Sequence, residues 1–302
     1  MKPLLILPPA PLRWMATEEL LAHEPAARLN DLKVRIAEGV DGAADALAAI
    51  PDGSRFHSVA CIRRRREIGV VGQMFTQEHQ RKKGLARALL QTLLGWFDMT
   101  GGKWLYATAP AELVDDFFAH FGFRVLHRGA SDGQACVTLL RRLSSAAESP
   151  YDAASAEVEI RDVSRGDWPL IVSLHQHLRG ADPRSDAAES ALLAERTAAD
   201  LLAQQDDGVC HLRGAFCSSR LVGLASIATE RLGDRTYAML IPHDRPPERL
   251  REAVVEFAKS KGYERIDYPM EALAEPAAAE SPPSEANSSN PAAGDADAQR
   301  GT

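Results

Sequence analysis

The chain has 302 residues, 45% hydrophobic and 25% charged, a composition typical of globular proteins and long enough for about two cores of roughly 150 residues each. Its net charge of −7 is concentrated at the C-terminal end, where Glu271, Glu275, Glu280, Glu285, Asp295 and Asp297 face only Arg300, so the remainder is close to neutral. That balance leaves no cationic face on the scale that phosphate-backbone binding needs, and it excludes nucleic acid as the expected partner.

The opening "MKPLLILPP" holds one lysine and a short apolar core before prolines, too short for a secretory leader, and no stretch reaches the length of a membrane span. A cytoplasmic protein with no membrane partner is expected. Cys61, Cys136, Cys210 and Cys217 are scattered without a CxxC pair, so buried reduced thiols are expected rather than a zinc site or a disulfide framework. Residues 16–50 are rich in Ala, Leu and Glu and read as helical. "RFHSVACI" and "EIGVVGQMF" read as the strands of a hairpin. They are joined by "RRRRE", where Arg63, Arg64, Arg65 and Arg66 read as a solvated turn, with contact to an acidic ligand as the alternative.

Leu85, Ala86, Leu89, Leu90, Leu93, Leu94 and Phe97 then recur at the helical period, and "TGG" ends that helix with glycines able to take a left-handed cap. "KWLYATA" returns as a strand, "ELVDDFFAHF" as a short helix closed by Gly122, and "FRVLHR" and "ACVTLLRR" as two further strands. The Trp104, Tyr106, Thr108 alternation reads as strand packing, and Cys136 as a core cysteine. "SSAAESPYDAASA" is small and polar, a linker between halves.

The second half runs "VEIRDV" strand, "DWPLIVSLHQHL" helix and a helix over about residues 186–205, then "VCHLRGAF" and "LVGLASIA" paired across "CSSR". "TYAMLIP", the helix "PERLREAVVEFAKSKG" and the strand "YERIDY" complete it. Both halves carry hairpin, strand, helix, glycine and strand, which reads as a degenerate internal duplication. His175 and His177 sit two apart on a helix and point to different sides, which argues against a metal pair. After residue 273 almost nothing large and apolar remains, so residues 274–302 are expected to be a disordered acidic tail.

One stretch carries chemistry. In "QRKKGLARALLQTLL", Arg81, Lys82 and Lys83 precede Gly84, and no carboxylate follows in the first helical turn. The first amides of a helix have no intrahelical acceptor, and the aligned peptide dipoles add positive charge there. With no capping side chain the donors are left for an anion, and Gly84 and Ala86 are small where a phosphate must approach.

Arg81, Lys82, Lys83, Gly84, Leu85 and Ala86 match R/Q-x-x-G-x-G/A, which resembles the acyl-CoA pyrophosphate loop of the GNAT acetyltransferase superfamily. The order of elements around it, closing on Gly122 and Phe123, is similar over about residues 54–142 and more loosely into the second half. The resemblance implies an α+β protein of two GNAT-like domains, each a mixed, mostly antiparallel central sheet flanked by helices. Residues 1–145 would form the acyl-CoA-binding domain, 146–156 a linker and 157–273 a degenerate, truncated second domain. It further implies bound acetyl-CoA and no metal, with the diphosphate on the amides of residues 82–86 and the pantetheine arm pairing with Met74, Phe75 and Thr76. The acceptor would be an amine on a small molecule or a peptide.

Glu78 or His79 would help deprotonate that amine, directly or through water. The family often carries a tyrosine acid four residues before the glycine of the closing pair, where this chain has Phe118, and an asparagine where it has Ala111. Tyr106 or solvent would then serve as acid. In the second half the corresponding loop is "HDRPPERL", where Pro246 and Pro247 lack amide hydrogens and Asp244 repels phosphate. That half is expected to shape the substrate cleft or to pack structurally. The alternative class is a non-catalytic acyl-CoA-binding or interaction module, and a third is a nucleotide or phosphate binder without acyl chemistry. Oligomeric state is not legible.

Overall fold

The first sheet takes seven strands in the order β1-β2-β3-β4-β5-β7-β6: β1 (Leu4–Ile6), β2 (Ala46–Asp52), β3 (Arg55–Arg65), β4 (Ile68–Thr76), β5 (Trp104–Pro110), β6 (Phe123–Ser131) and β7 (Gln134–Arg142). The structure is a computed structural model that describes residues 1–131, 134–147, 150–151, 158–179, 190–217, 220–229, 236–241, 248–260 and 266–267. Every neighbouring pair in the first sheet is antiparallel except β4 with β5, which are joined by the helix α3 (Leu85–Met99) as a crossover. The second sheet has five strands, β8 (Val158–Asp162), β9 (Cys210–Cys217), β10 (Arg220–Thr229), β11 (Thr236–Ile241) and β12 (Ile266–Asp267), in the order β12-β11-β10-β9-β8. It too is antiparallel until its last pair, β11 with β12, which is parallel. The two sheets therefore share one topology over their first five strands, and the chain is α+β with helices on both sheets. Residues 1–268 form one compact unit. The tail expected to be disordered, most of the expected linker, and Asp244, Pro246 and Pro247 lie outside the described residues.

Alternate residues of the first sheet fill two different layers. Ala48, Ile50, Ala60, Ile62, Leu105 and Ala107 face α3, whose Leu89, Leu90, Leu93 and Phe97 are fully buried against them. Each such side chain contributes on the order of 2 kcal/mol by leaving water. The opposite face carries Leu47, Val59 and Cys61, covered by α1 (Pro11–Leu20), α2 (Ala26–Lys33) and a π-helical turn, Val34–Glu38. Further along that face Ile68, Val70, Trp104 and Tyr106 meet α4 (Trp168–Arg179), which comes from the second half. Leu170, Ile171, Val172, Leu174, His175 and Gln176 of α4 are all buried. A helix covered all round belongs between layers. The remaining helices are α5 (Ser190–Asp206) and α6 (Glu248–Ser260).

Several expectations need correction. Residues 16–50 are not one helical region: α1 ends at Leu20, α2 and the π turn end at Glu38, and Ala46, Leu47, Ala48, Ala49 and Ile50 belong to β2. All five are at most 2% exposed because both faces of the strand are covered, so no alternation marks it and its alanines mimic a helix. The strand β1, which pairs Leu4, Leu5 and Ile6 with β2, was not expected at all. "ELVDDFFAHF" forms a π-helical turn, Val114–Phe118, and then a 3-10 turn, Ala119–Phe121, rather than a regular helix.

The arginine run is corrected most. Arg63, Arg64 and Arg65 lie inside β3, and the hairpin turns at Arg66 and Glu67, with Arg66 at φ 52°. Arg63 is 4% exposed; it reaches Asp31 at 3.0 Å and lies over the Trp168 ring at 4.3 Å. Arg65 donates to Asp167 at 3.0 Å, and Arg161 grips the same carboxylate at 2.9 Å. Arg35, 1% exposed, bonds Asp31 at 3.2 Å, Asp45 at 3.1 Å and the Arg165 carbonyl at 2.9 Å. Arg65 of the run thus fastens the first half ionically to Asp167 of the second, while Arg63 is paired within the first half by Asp31.

Burial alone would raise the pKa of Asp31, but Arg63, Arg35 and Arg165 hold it below the usual 3.8. Asp167 is likewise held down against burial, chiefly by Arg161 and the Ser164 amide, with Arg65 adding to it. Folded pKa values below the unfolded ones mean stability that is complete above about pH 4 and lost as pH falls through the folded values. The melting temperature should therefore hold from neutrality down to about pH 5 and drop steeply below about pH 4 in a calorimetric series.

Candidate acyl-CoA site

The parallel pairing of β4 with β5 covers only Ile68, Gly69 and Val70 against Trp104, Leu105 and Tyr106. Beyond it β4 stays with β3 while β5 stays with β7, so the two strands part. A bulge sharpens the divergence: Gly72 and Gln73 together face Cys61, and a Cβ on Gly72 would come within 2.5 Å of the Cys61 sulfur. Bulges bend a strand and raise its twist, which opens the fork. A cavity of about 390 Å³ occupies it, walled by Met74 and Gln73 of β4, Ala86 of α3, Thr108 of β5, Phe117 and Phe118, Glu24 from the turn before α2 and Arg28 of α2.

At the mouth of the fork β4 runs through a 3-10 turn, Glu78–Gln80, into the loop. Lys82 at φ 61° and Gly84 at φ 76° both take the left-handed conformation, and Gly84 is the N-cap of α3. Left-handed residues of this kind curl successive amides toward one point, the geometry of anion-binding backbone. The Arg81 amide is spent on the Glu78 carbonyl at 3.1 Å, and the Ala88 amide on Gly84 at 3.1 Å. Between them the amides of Lys82, Lys83, Gly84, Leu85, Ala86 and Arg87 have no acceptor among the described residues, and no side chain caps the helix. Arg81, Lys82, Lys83 and Gly84 are all exposed. The Lys83 ammonium bonds the Gln80 side chain at 2.8 Å, and Arg81 Nε the Thr76 carbonyl at 3.3 Å.

Met74, Phe75 and Thr76 pair with Ala60, Val59 and Ser58 of β3 on one side. Their other edge has no strand partner among the described residues, which leaves a backbone ledge for an extended ligand. Leu85 is buried under the loop and Ala86 lines the cavity.

The structure separates the three residues expected to move protons. Glu78 and His79 are exposed on the 3-10 turn and do not wall the cavity; the His79 ring lies edge-on to His57 at 6.0 Å. Tyr106 is fully buried on the face toward α4, where burial and then the nearby Tyr151 push its pKa well above the usual 10.0. Tyr106 sits deeper than the fork, where β5 is still paired with β4, and is not among the residues that line the cavity. The tyrosine expected as acid is therefore out of reach, and Phe118 contributes only a ring to the wall.

Glu24, Arg28, Gln73 and Thr108 line the cavity, although nothing in the sequence pattern marked them as site residues. Arg28 Nη1 of α2 donates at 3.1 Å to Oε2 of Glu24, in the turn before the helix. Thr108 carries a second surprise: its Oγ1 accepts from Gln176 Nε2 of α4 at 3.3 Å, so the second half reaches the wall of the first half's cleft. All four cysteines are buried, and none forms a disulfide. Among the described residues no His, Cys, Asp and Glu group is placed to hold a metal, and no helix is long and apolar enough to cross a membrane.

No protein-family model and no curated relative matches the sequence. Among solved structures the chain is similar to a tandem GNAT protein from the clavulanic acid biosynthesis pathway, at 13% identity over 90% of this chain and 93% of that one, with a TM-score of 0.37. It is similar to the ribosomal-protein-S18-alanine N-acetyltransferase from Escherichia coli at 12% identity over 49% of this chain and 99% of that one, TM-score 0.40. A third likeness is Escherichia coli ElaA, at 16% identity over 47% of this chain and all of that one, TM-score 0.38. The chain has an α+β fold, and the solved structures it is similar to include a tandem GNAT protein and an N-acetyltransferase.

Proposed function

We propose that the protein is an acetyl-CoA-dependent N-acetyltransferase that acetylates an amine of a small molecule or peptide in the cytoplasm. The observation that carries the reading is the run of six amides without acceptors, Lys82 to Arg87, under three exposed cations and beside the fork of β4 and β5. A diphosphate satisfies such donors, and charge-assisted bonds to backbone N–H are among the stronger kind. The pantetheine arm would then follow the unpaired edge at Met74, Phe75 and Thr76 and deliver the thioester into the 390 Å³ cavity. Acetyl-CoA bound there supplies an activated acyl carbon. The chain's part is to exclude water with Met74, Phe117 and Phe118 and to present the amine. Glu78 and His79, at the rim, accept the amine's proton through water, and solvent replaces Tyr106 as the acid. On this reading residues 1–145 hold the acyl site, residues 146–156 are the linker and residues 157–273 form the degenerate domain.

A second reading is favoured by one observation. The ionisable residues among those lining the cavity are Glu24 and Arg28, which neutralise each other, and the ring of Phe118 stands where the family acid belongs. Those features suit an acyl-CoA-binding module without turnover. Calorimetry with acetyl-CoA and thiol release with a panel of amines divide the cases: saturable binding with amine-dependent thiol release supports the enzyme, binding with release no faster than hydrolysis supports the module, and no binding sinks both. ATP competing as well as CoA would point to a nucleotide site instead.

A further inference from the structure

Phenylalanine at position 118 leaves the fork without the hydroxyl that a departing thiolate needs, so any O–H for it has to come from elsewhere on the wall. Thr108 is the hydroxyl-bearing residue among those that line the cavity. It stands two residues beyond Tyr106, the last residue of β5 paired with β4, and so at the crotch of the fork. Its main chain is fixed by pairing with Thr138 of β7.

What makes Thr108 more than a lining residue is the group behind it. Gln176 of α4 is 2% exposed, and its Nε2 donates to Thr108 Oγ1 at 3.3 Å while its Oε1 has no partner among the described residues. A hydroxyl owns one hydrogen and two lone pairs. With one lone pair taken by the amide, the hydrogen points away from Gln176, and no bond donated by Thr108 Oγ1 exists among the described residues. The ring of His127, which neighbours Thr138 across β6 and β7, bonds the main chain of Gln176 and holds that turn of α4 on the sheet.

We infer that Thr108 is the hydrogen-bond donor to the thioester sulfur as it leaves, and that Gln176, from the second half, is the positioning residue that aims its hydrogen. The inference rests on the acyl-CoA reading above. In the step, the amine nitrogen bonds to the acetyl carbon, the C–S bond breaks and its electron pair stays on sulfur. The Thr108 hydroxyl stabilises that charge without giving up its proton, being far too weak an acid. The proton shed by the amine passes to sulfur, leaving an amide and the CoA thiol. The degenerate half thereby acquires a part in the chemistry, because it supplies the residue that orients the one O–H facing the reaction.

The test needs no knowledge of the acceptor, because free CoA itself reports on its sulfur. Bound to the full-length protein, its thiolate is followed by ultraviolet absorbance against pH. The neighbouring ionisable groups, the Glu24 and Arg28 pair on the wall and His127 behind Thr138, are common to all variants. A donor at Thr108 lowers the titration of the bound thiol, and Thr108→Val should move it up by about one pH unit relative to wild type, the equivalent of one hydrogen bond to a charged group. Thr108→Ser keeps the wild-type titration, and Gln176→Met, which leaves the hydroxyl free to rotate, falls between. A Thr108→Val protein whose bound thiol titrates with the wild type overturns the inference while the acyl-CoA site stands. A wild-type protein that does not bind CoA takes down the site and the inference together.

Discussion

Replacing Gly84 by glutamate should weaken acetyl-CoA binding by about 100-fold or more and leave the protein folded. Gly84 caps α3 at φ 76° amid the six amides without acceptors, and a Cβ built there meets nothing within 4 Å. The substitution therefore clashes with nothing, and its local cost is the left-handed strain, about 1–2 kcal/mol. Its carboxylate, however, stands where the diphosphate would, and either repels it or occupies the same donors. Gly84→Ala separates the two effects: it shares the strain but not the charge, and should lose much less affinity. Isothermal calorimetry on both, with melting temperatures measured alongside, decides the matter. Equal affinity for wild type and the glutamate variant removes the loop from the site.

The second large effect concerns stability. Asp167 has no solvent exposure and accepts from Arg65, from both Arg161 nitrogens, and from the Ser164 amide and hydroxyl at 2.9 to 3.0 Å. Asp167→Asn removes the charge that balances two guanidinium groups, and breaking a buried pair from one side costs about 3–5 kcal/mol. In a unit of this size that is a drop of about 10 °C in melting temperature, readable by differential scanning calorimetry. Asp162→Ala makes the contrast: Asp162 is 76% exposed and its bond to Arg213 should be worth less than about 1 kcal/mol. If the two variants melt together, the fastening is not ionic.

What could be read from the chain beforehand was what is local. The wide apolar stripe of α3, the uncapped cationic entry to it and Gly84 are all within one short segment, and a 3.6-residue period is hard to mistake over four turns. The strand β2 failed for the opposite reason: covered on both faces and rich in alanine, it carries no period-two signal, and only its pairing with β3 makes it a strand. The run of arginines was misjudged because charge runs are usually solvated; Asp31 and Asp167, which bury them, lie far away in sequence. The cavity wall was hidden likewise. Glu24 and Arg28 fall in the region whose boundaries blurred, and Gln176 meets Thr108 across 68 positions. Tyr106 could be placed on a strand but not on a face, since that depends on what packs above it.

The seating of α4 on the first sheet settles what the two halves can do apart. A fragment ending near residue 150 would offer water Ile68, Val70, Trp104 and Tyr106 as a bare greasy patch and would leave Arg65 without the carboxylate of Asp167. Such a piece would clump rather than behave as a free-standing catalyst. The second half, through α4, is a permanent roof that the first sheet can no longer shed.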